Sequence, residues 1–181
     1  MKNTNIILLC TLFISIATSA QKTKKSVLIQ LDSQSEKYGA IAMKIWNLAE
    51  MGYLEEQSSS LLQQTLSNEG FTIKKGVANI PTAFVAEYGS GLPIIAILGE
   101  FDALPGLSQQ AVPEKKSANA EAGHACGHHL FGTASSAAAI AVKKWMQNTK
   151  QKGTIRFYGC PAEEGGGAKV YMAREGLFDD V

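Results

Sequence analysis

The chain has 181 residues, 45% of them apolar, and it carries 17 Lys and Arg against 16 Asp and Glu. This length suits one domain of ordinary size with a sizeable hydrophobic core, and the apolar content excludes an intrinsically disordered chain. The balanced charge argues against a nucleic-acid partner, because phosphate binding requires clustered Lys and Arg.

The first 20 residues have the layout of a cleaved secretory signal peptide, with Lys2, an apolar run over residues 6–17, and small residues before Gln21. The apolar run is too short for a comfortable membrane span; an uncleaved N-terminal anchor is the alternative. Cleavage would remove Lys2 and change the formal net charge from +1 to zero. We therefore expect an exported protein, periplasmic or extracellular, with no stable membrane span after cleavage.

The first predicted elements are two helices followed by three short strands. Apolar residues at helical spacing predict helices over residues 33–50 and 54–69. Strands are predicted over residues 71–74, 82–88 and 94–98. The last of these is apolar throughout, which is typical of a central strand buried on both faces.

The second half of the chain continues the alternation of helices and strands. Residues 104–123 are predicted to form a long loop, followed by a helix over 130–147, a strand over 153–159 and a helix over 168–175. This order predicts an α/β fold with a mixed, largely parallel central sheet and helices on both faces. A sheet of so few strands would keep one edge open.

Reactive side chains concentrate in three segments, each at a predicted strand end or in the loop beyond it, where open α/β sheets carry their sites. In the first, Glu100 and Asp102 are two residues apart, so in an extended segment they point the same way. Either could bind a cation or hold a metal-bound histidine by its second nitrogen. A solvated pair of acids is the alternative.

The second segment, GHACGHH, contains Cys126 and all three histidines of the chain, His124, His128 and His129. In the Cys-x-His pair, a thiolate and an imidazole can converge on one cation, and Gly127 between them permits a tight turn. An accidental or exposed histidine cluster is the alternative. So dense a mixture of Gly, Cys and His favours the metal site.

In the third segment the adjacent acids Glu163 and Glu164 follow Pro161 and precede three glycines. Adjacent carboxylates normally repel each other and remain in water. At a strand end, one can ligate a divalent ion while the other takes a proton from the water of that ion. The ion lowers the pKa of its water from about 15.7 towards ~7, so a carboxylate suffices as the base. A plain acidic turn is the alternative.

Together the segments resemble the aminoacylase/carboxypeptidase-type dinuclear metallohydrolases, in the amidohydrolase branch that contains indole-acetyl amino-acid hydrolases and hippurate hydrolases. Three motifs carry this resemblance: GEFDALPGLSQ (99–109), GHACGHHLFGTASSAAAIAVKKW (123–145) and GTIRFYGCPAEEGGGAKVYMAREGLFDDV (153–181). It covers about residues 33–181 and implies a zinc-exopeptidase-like catalytic domain. Residues 21–181 would be its N-terminal part, without the smaller lid and dimerisation domain or the C-terminal remainder.

Position by position, the resemblance implies that Cys126 is a thiolate bridging two metal ions and that His128 is a terminal ligand of one of them. It makes Glu164 the ligand carboxylate, Glu163 the general base, and Asp102 the acid that orients a metal-bound histidine. The implied cofactors are two divalent ions per site, zinc or manganese.

The chain also departs from the family pattern at several positions. Glu100 stands where more distant branches have the histidine of His-x-Asp, so it is not assigned as a ligand. His129 replaces the usual Asp or Asn, which leaves its role open between substrate, metal and solvent. Cys160 stands where a small residue is expected and is predicted to be buried. The family's two remaining ligand histidines are expected beyond Val181.

The implied activity is metal-dependent cleavage of the amide bond of N-acyl or aroyl amino acids, such as p-aminobenzoyl-glutamate, or of small dipeptides. Glu163 would take a proton from a metal-activated water and give it to the leaving amine. We expect a small-molecule substrate, and a homodimer or hetero-oligomer for the full-length protein. We expect the 181-residue chain to be inactive alone.

A non-catalytic exported domain is the alternative function. Cys126 and Cys160 would then form a structural disulfide, or hold a single structural zinc with His124 and His128. Structural zinc sites, however, usually use closely spaced Cys pairs, and the paired glutamates would have no role. The enzyme is therefore favoured.

Overall fold

The computed structural model describes residues 24–181, and the signal peptide predicted for residues 1–20 lies outside them. The chain divides into two compact units, the first of which ends at Ser35. Residues 24–32 of the first unit are helical. Within the described part of the chain, no helix is long and apolar enough to cross a membrane.

From Ser35 onward the chain alternates helices and strands in the predicted order. The helices are α1 (Ser35–Leu48), α2 (Glu56–Asn68), α3 (His128–Thr149) and α4 (Ala168–Arg174), with a short 3-10 turn at Val77–Asn79. The strands are β1 (Thr72–Lys75), β2 (Phe84–Ser90), β3 (Ile94–Gly99), β4 (Leu104–Pro105), β5 (Ala122–Gly123) and β6 (Gly153–Gly159). The predicted elements are confirmed to within a few residues at their ends, and the β4–β5 pair closes the long predicted loop.

The main sheet is mixed and has the strand order β1–β2–β6–β3. The pairs β1–β2 and β2–β6 are antiparallel, and only β3 and β6 are parallel. The α/β class is confirmed, but the expectation of a largely parallel sheet is wrong. A parallel pair requires a long crossover connection, and here α3 provides one only between β3 and β6.

Strand β3 is an edge strand of this sheet rather than the central strand that its apolar sequence predicts. It pairs with β6 from Ile94↔Thr154 to Gly99↔Gly159, and within residues 24–181 it has no partner on its other side. Its side chains are only partly covered, and Ile95 is 53% exposed. An apolar run of this length does not by itself distinguish a central strand from an edge strand.

Two hydrophobic clusters pack against opposite faces of the sheet. Leu62 of α2 and Ile140 of α3 belong to the larger cluster, which includes Phe157 of β6. Met172 of α4 packs on the other face with Tyr158. Successive residues of a strand point to opposite faces, so the neighbours Phe157 and Tyr158 serve different clusters. Helices therefore cover both faces, as predicted.

Helix α3 lies very close to the end of β3. A Cβ atom at Gly132 would lie 2.5 Å from the carbonyl oxygen of Glu100 and 3.2 Å from Leu62 Cδ1. A Cβ at Gly99 would lie 3.3 Å from the Cα of Gly132. Glycine at both positions lets the helix touch the strand backbone. Because α3 begins at His128, about one turn earlier, this contact determines where His128 lies relative to Glu100.

We expect Gly132→Ala to lower the free energy of unfolding by about 1–3 kcal/mol, the usual cost of overpacking a tight contact. Gly39→Ala in α1 is the matched control, since nothing lies within 4 Å of the position that its Cβ would take. This control should be neutral or stabilise by up to ~1 kcal/mol through helix propensity. Urea unfolding measures both values, and equal stabilities of the two variants would contradict the close contact.

Candidate metal centre

The three predicted segments meet at one end of the sheet. Strands β3 and β6 are parallel and end side by side at Gly99 and Gly159, so the segments that follow them leave the sheet at the same edge. The backbone N–H of Cys160 donates a 2.8 Å hydrogen bond to the carbonyl of Gly99. Helix α3 brings His128 to this edge through its contact with Glu100.

Asp102 connects the second and third segments. It is 1% exposed. Its Oδ1 lies 2.9 Å from His128 Nδ1, and its Oδ2 accepts a 2.9 Å hydrogen bond from the backbone N–H of Glu164. A carboxylate beside Nδ1 favours a proton there and leaves Nε2 as the atom that can bind a metal. Asp102 therefore makes the histidine contact that its predicted role requires, and the metal part of that role stays a prediction.

The contact between Asp102 and His128 shifts the pKa of both groups. Burial raises the pKa of Asp102, but the hydrogen bonds from His128 and from the N–H of Glu164 outweigh it and lower the pKa. The hydrogen bond to Asp102 raises the pKa of His128 against the opposing effect of burial, and Glu100 and Glu164 raise it further. Without a metal, His128 is thus protonated more readily than an ordinary histidine.

Two groups of potential metal ligands share His128. The first consists of Cys126, His128 and Glu164, and the second of Glu100, His128 and Glu163. Within each group, one ligand atom from each residue lies within 4.8 Å of the others. Two ligands bound to one zinc ion at about 2.0–2.3 Å lie roughly 3–4.5 Å apart. A spacing of this order suits a single cation after a small adjustment.

The first group fits a divalent cation because it combines an unpartnered carboxylate oxygen with an exposed thiol. Among the described residues, Glu164 Oε1 is one of the few buried side-chain oxygens without a hydrogen-bond partner, and the thiol of Cys126 is free and exposed. Contact with the Glu164 carboxylate raises the pKa of Cys126, and other nearby carboxylates add to this. A cation would relieve this repulsion and favour the thiolate. The mixed S, N, O ligand set suits zinc without excluding manganese.

Glu163 and Glu100 also lie near the Nε2 atom of His128. Glu163 Oε2 is 3.8 Å away and its side chain is 41% exposed, so it can meet water and substrate. Glu100 Oε2 is 3.0 Å away, and the other carboxylate oxygen of Glu100 pairs with Lys169 of α4. Lys169 was not predicted from the sequence, because a lysine near the start of a short helix carries no signal of its own.

The remaining candidate residues belong to neither ligand group. His124 and His129 are buried with their ring centroids 5.0 Å apart, and His129 lies 4.8 Å from Trp46. Burial lowers the pKa of His129 to about 4. Cys160 is buried, as predicted, and both Cys126 and Cys160 are free. The alternative of a structural disulfide is therefore wrong, and within residues 24–181 His124 joins no ligand group.

Side chains ahead of α2 hold the loop that carries the paired glutamates. Glu55 is fully buried, and its carboxylate accepts hydrogen bonds from the N–H of Ala162 at 2.7 Å and the hydroxyl of Thr82 at 3.1 Å. The hydroxyl of Tyr53 donates a 2.6 Å hydrogen bond to the carbonyl of Gly166. These contacts fix the loop after β6, and neither Glu55 nor Tyr53 was predicted from the sequence.

In the metal-free protein, Asp102→Asn should lower the pKa of His128 towards or below its ordinary value of ~6.5, because the carboxylate that stabilises the imidazolium is lost. A raised folded-state pKa adds stability below ~6.5 that is lost as the pH rises through the folded pKa. The difference in the free energy of unfolding between the wild type and Asp102→Asn that comes from His128 should therefore decrease as the pH rises from ~6.5 through the folded-state pKa. NMR titration of the histidine rings measures the shift, and His124, whose pKa burial lowers, is the internal control. An unchanged pKa of His128 would contradict the contact.

Comparisons with known proteins identify a family and relatives that the chain resembles. Residues 96–181 match the profile of Peptidase family M20/M25/M40. The chain is 51% identical over 153 residues to a subunit of the p-aminobenzoyl-glutamate hydrolase of Escherichia coli, covering 83% of this chain and 32% of that protein. It is 28% identical over 179 residues to Xaa-Arg dipeptidase of Mus musculus, covering 92% of this chain and 38% of that protein. The chain thus spans about a third of the length of these relatives.

A solved structure shares the fold. The YXEP protein of Bacillus subtilis, described as a dinuclear metal binding peptidase from the M20 family, superposes with a TM-score of 0.67 at 25% identity. The match covers 83% of this chain and 41% of that chain. The resemblance predicted from the three sequence motifs is confirmed, and residues 96–181 place this part of the chain in the peptidase family M20/M25/M40.

Proposed function

We propose that the chain supplies part of the active site of a metal-dependent amidohydrolase. Its substrates would be N-acyl or aroyl amino acids resembling p-aminobenzoyl-glutamate, or small dipeptides. The convergence of Cys126, His128 and Glu164 within 4.8 Å carries the proposal. The relatives support the amide substrate, since one is named a p-aminobenzoyl-glutamate hydrolase and the other a dipeptidase.

Cys126, His128 and Glu164 would hold a divalent metal, zinc or manganese. A divalent cation bound there lowers the pKa of water and polarises the amide carbonyl. Asp102 keeps the Nε2 lone pair of His128 directed at this position through its contact with Nδ1. The same carboxylate fixes the backbone of Glu164, so one buried acid orients two of the three ligands.

Glu163 is the general base in this proposal. Its carboxylate lies beside the ligand groups and is 41% exposed, so it can meet both the attacking water and the substrate. It accepts the proton of the water on a carboxylate oxygen, and as the resulting acid it donates that proton to the leaving amine nitrogen. Glu164 is more buried, at 17% side-chain exposure, which suits a ligand rather than a proton carrier.

Export and assembly are further parts of the proposal. The signal peptide predicted over residues 1–20 would direct the protein to the periplasm or the cell exterior, with residues 21–181 forming the N-terminal part of the catalytic domain. The Escherichia coli relative is named as one subunit of a hydrolase, which supports a homodimer or hetero-oligomer. Further ligands and the substrate-gripping domain would come from the rest of the full-length protein.

Glu163→Gln in the full-length protein should reduce kcat by about 10²–10⁴-fold, the usual contribution of a general base, while the metal content stays unchanged. Hydrolysis of p-aminobenzoyl-glutamate and metal analysis of the same sample measure the two quantities. Glu164→Gln is the contrasting variant and should lose metal as well as activity. Normal turnover in Glu163→Gln would reject its assignment as the base.

Metal content should fall as the pH is lowered, because the thiolate and the imidazole must both lose their protons to bind. Contacts with Glu164 and Asp102 raise the pKa of Cys126 and of His128, so the loss should begin above the ordinary histidine value of ~6.5. Equilibrium dialysis against zinc at a series of pH values measures it. A zinc affinity that does not change with pH across that value would mean that this ligand group is wrong.

A further inference from the structure

Three carboxylates lie near one nitrogen atom of His128. Its Nε2 atom lies 3.0 Å from Glu100, 3.8 Å from Glu163 and 4.0 Å from Glu164. The neutral ring offers one lone pair at this nitrogen, and a lone pair binds one cation. The group with Cys126 and Glu164 therefore competes with the group of Glu100 and Glu163 for the same atom.

The two groups favour different cations and different chemistry. A thiolate, an imidazole and one carboxylate suit zinc, whereas an imidazole with two carboxylates suits a harder cation such as manganese. The second group would also occupy Glu163, and a carboxylate engaged with a cation is a weaker base for water. Which of the two groups holds the cation therefore determines the metal preference, and it also determines whether Glu163 can act as a base on water.

Lys169 engages one of the competing carboxylates. Its ammonium group pairs with Oε1 of Glu100, whose Oε2 faces His128. The side chains of Glu100 and Lys169 are 14% and 33% exposed, so solvent screens this pair less than a surface pair. Within residues 24–181, no other lysine or arginine forms an ion pair with a carboxylate of either ligand group.

The turn that carries the glutamates also positions Lys169. Helix α4 begins at Ala168, and the N–H of the preceding Gly167 donates a 2.7 Å hydrogen bond to the carbonyl of Ala162. The residues between these two include Glu163 and Glu164. The backbone of Lys169 therefore follows directly on the hydrogen-bonded turn that carries the paired acids.

We propose that Lys169 determines the metal specificity of the site by engaging Oε1 of Glu100, which weakens Glu100 as a competing ligand although its Oε2 faces His128. The cation then binds with Cys126 and Glu164, and Glu163 stays free to act on water. This inference rests on the proposed function, since it assumes that Cys126, His128 and Glu164 hold a metal. A purely structural ion pair would affect stability and leave the metal preference unchanged.

The test measures zinc and manganese affinity by competition in the full-length protein and its variants. Lys169→Met should lower the ratio of zinc to manganese affinity by about 10- to 100-fold, the effect of altering groups that hold metal ligands. Glu100→Gln added to Lys169→Met should restore the wild-type ratio. Lys144→Met is the matched control, because Lys144 is similarly exposed, at 29%, and pairs with Glu69 outside the site.

Cobalt substitution separates this inference from the proposed function. Thiolate-to-cobalt charge-transfer absorption reports whether Cys126 is a ligand. We expect it in the wild type and in Lys144→Met, weakened in Lys169→Met, and recovered in the double variant. A wild type without this absorption would reject the proposed ligand group itself. A wild type with it, together with equal changes in zinc and manganese affinity in Lys169→Met, would overturn the role of Lys169 alone.

The single variant Glu100→Gln keeps the test decisive if Lys169→Met fails to fold. With Lys169 in place, Glu100 is not a ligand, so Glu100→Gln should keep the wild-type affinity ratio and the cobalt absorption. A shift of the ratio towards zinc in this variant would mean that Glu100 already binds the cation. That result would overturn the inference without any measurement on Lys169→Met.

Discussion

The buried carboxylate of Asp102 is the interaction on which the site depends. One oxygen contacts the ring of His128 and the other accepts the backbone N–H of Glu164, so a single side chain joins two segments that lie far apart in the sequence. A buried charge that loses one of its partners is costly, by about 3–5 kcal/mol where such pairs have been broken. The arrangement therefore resists independent movement of the histidine and of the glutamate turn.

The backbone places Asp102 where it can make both contacts. The parallel pair of β3 and β6 ends at Gly99 and Gly159, and the glycine contact between β3 and α3 brings the first turn of the helix down to the strand end. Neither feature involves a reactive group. The position of the candidate ligands therefore depends on packing that glycine residues make possible, so the stability of the fold and the geometry of the candidate site are linked.

The sequence alone predicts the parts of the site that lie within short segments. The Cys-x-His spacing and the paired glutamates are local patterns, and each falls at a strand or helix end of the structure. The direction of the strands and the edge position of β3 cannot be predicted from a short segment, because they depend on which strands pair with each other. Glu55 and Lys169 were missed for the same reason, since their partners lie 107 and 69 residues away and neither residue type is distinctive in its own segment.

Two adjacent glutamates can hold different roles because their surroundings differ. Asp102 binds the backbone of Glu164, and the side chain of Glu164 is 17% exposed, whereas the side chain of Glu163 is 41% exposed and makes no such anchor. A ligand benefits from being fixed, while a base must reach water and then the leaving group. The different roles that we propose for Glu164 and Glu163 agree with these different surroundings. Lys169 extends this argument to Glu100, because an ammonium group that engages one oxygen of that carboxylate would weaken it as a competitor of Glu164.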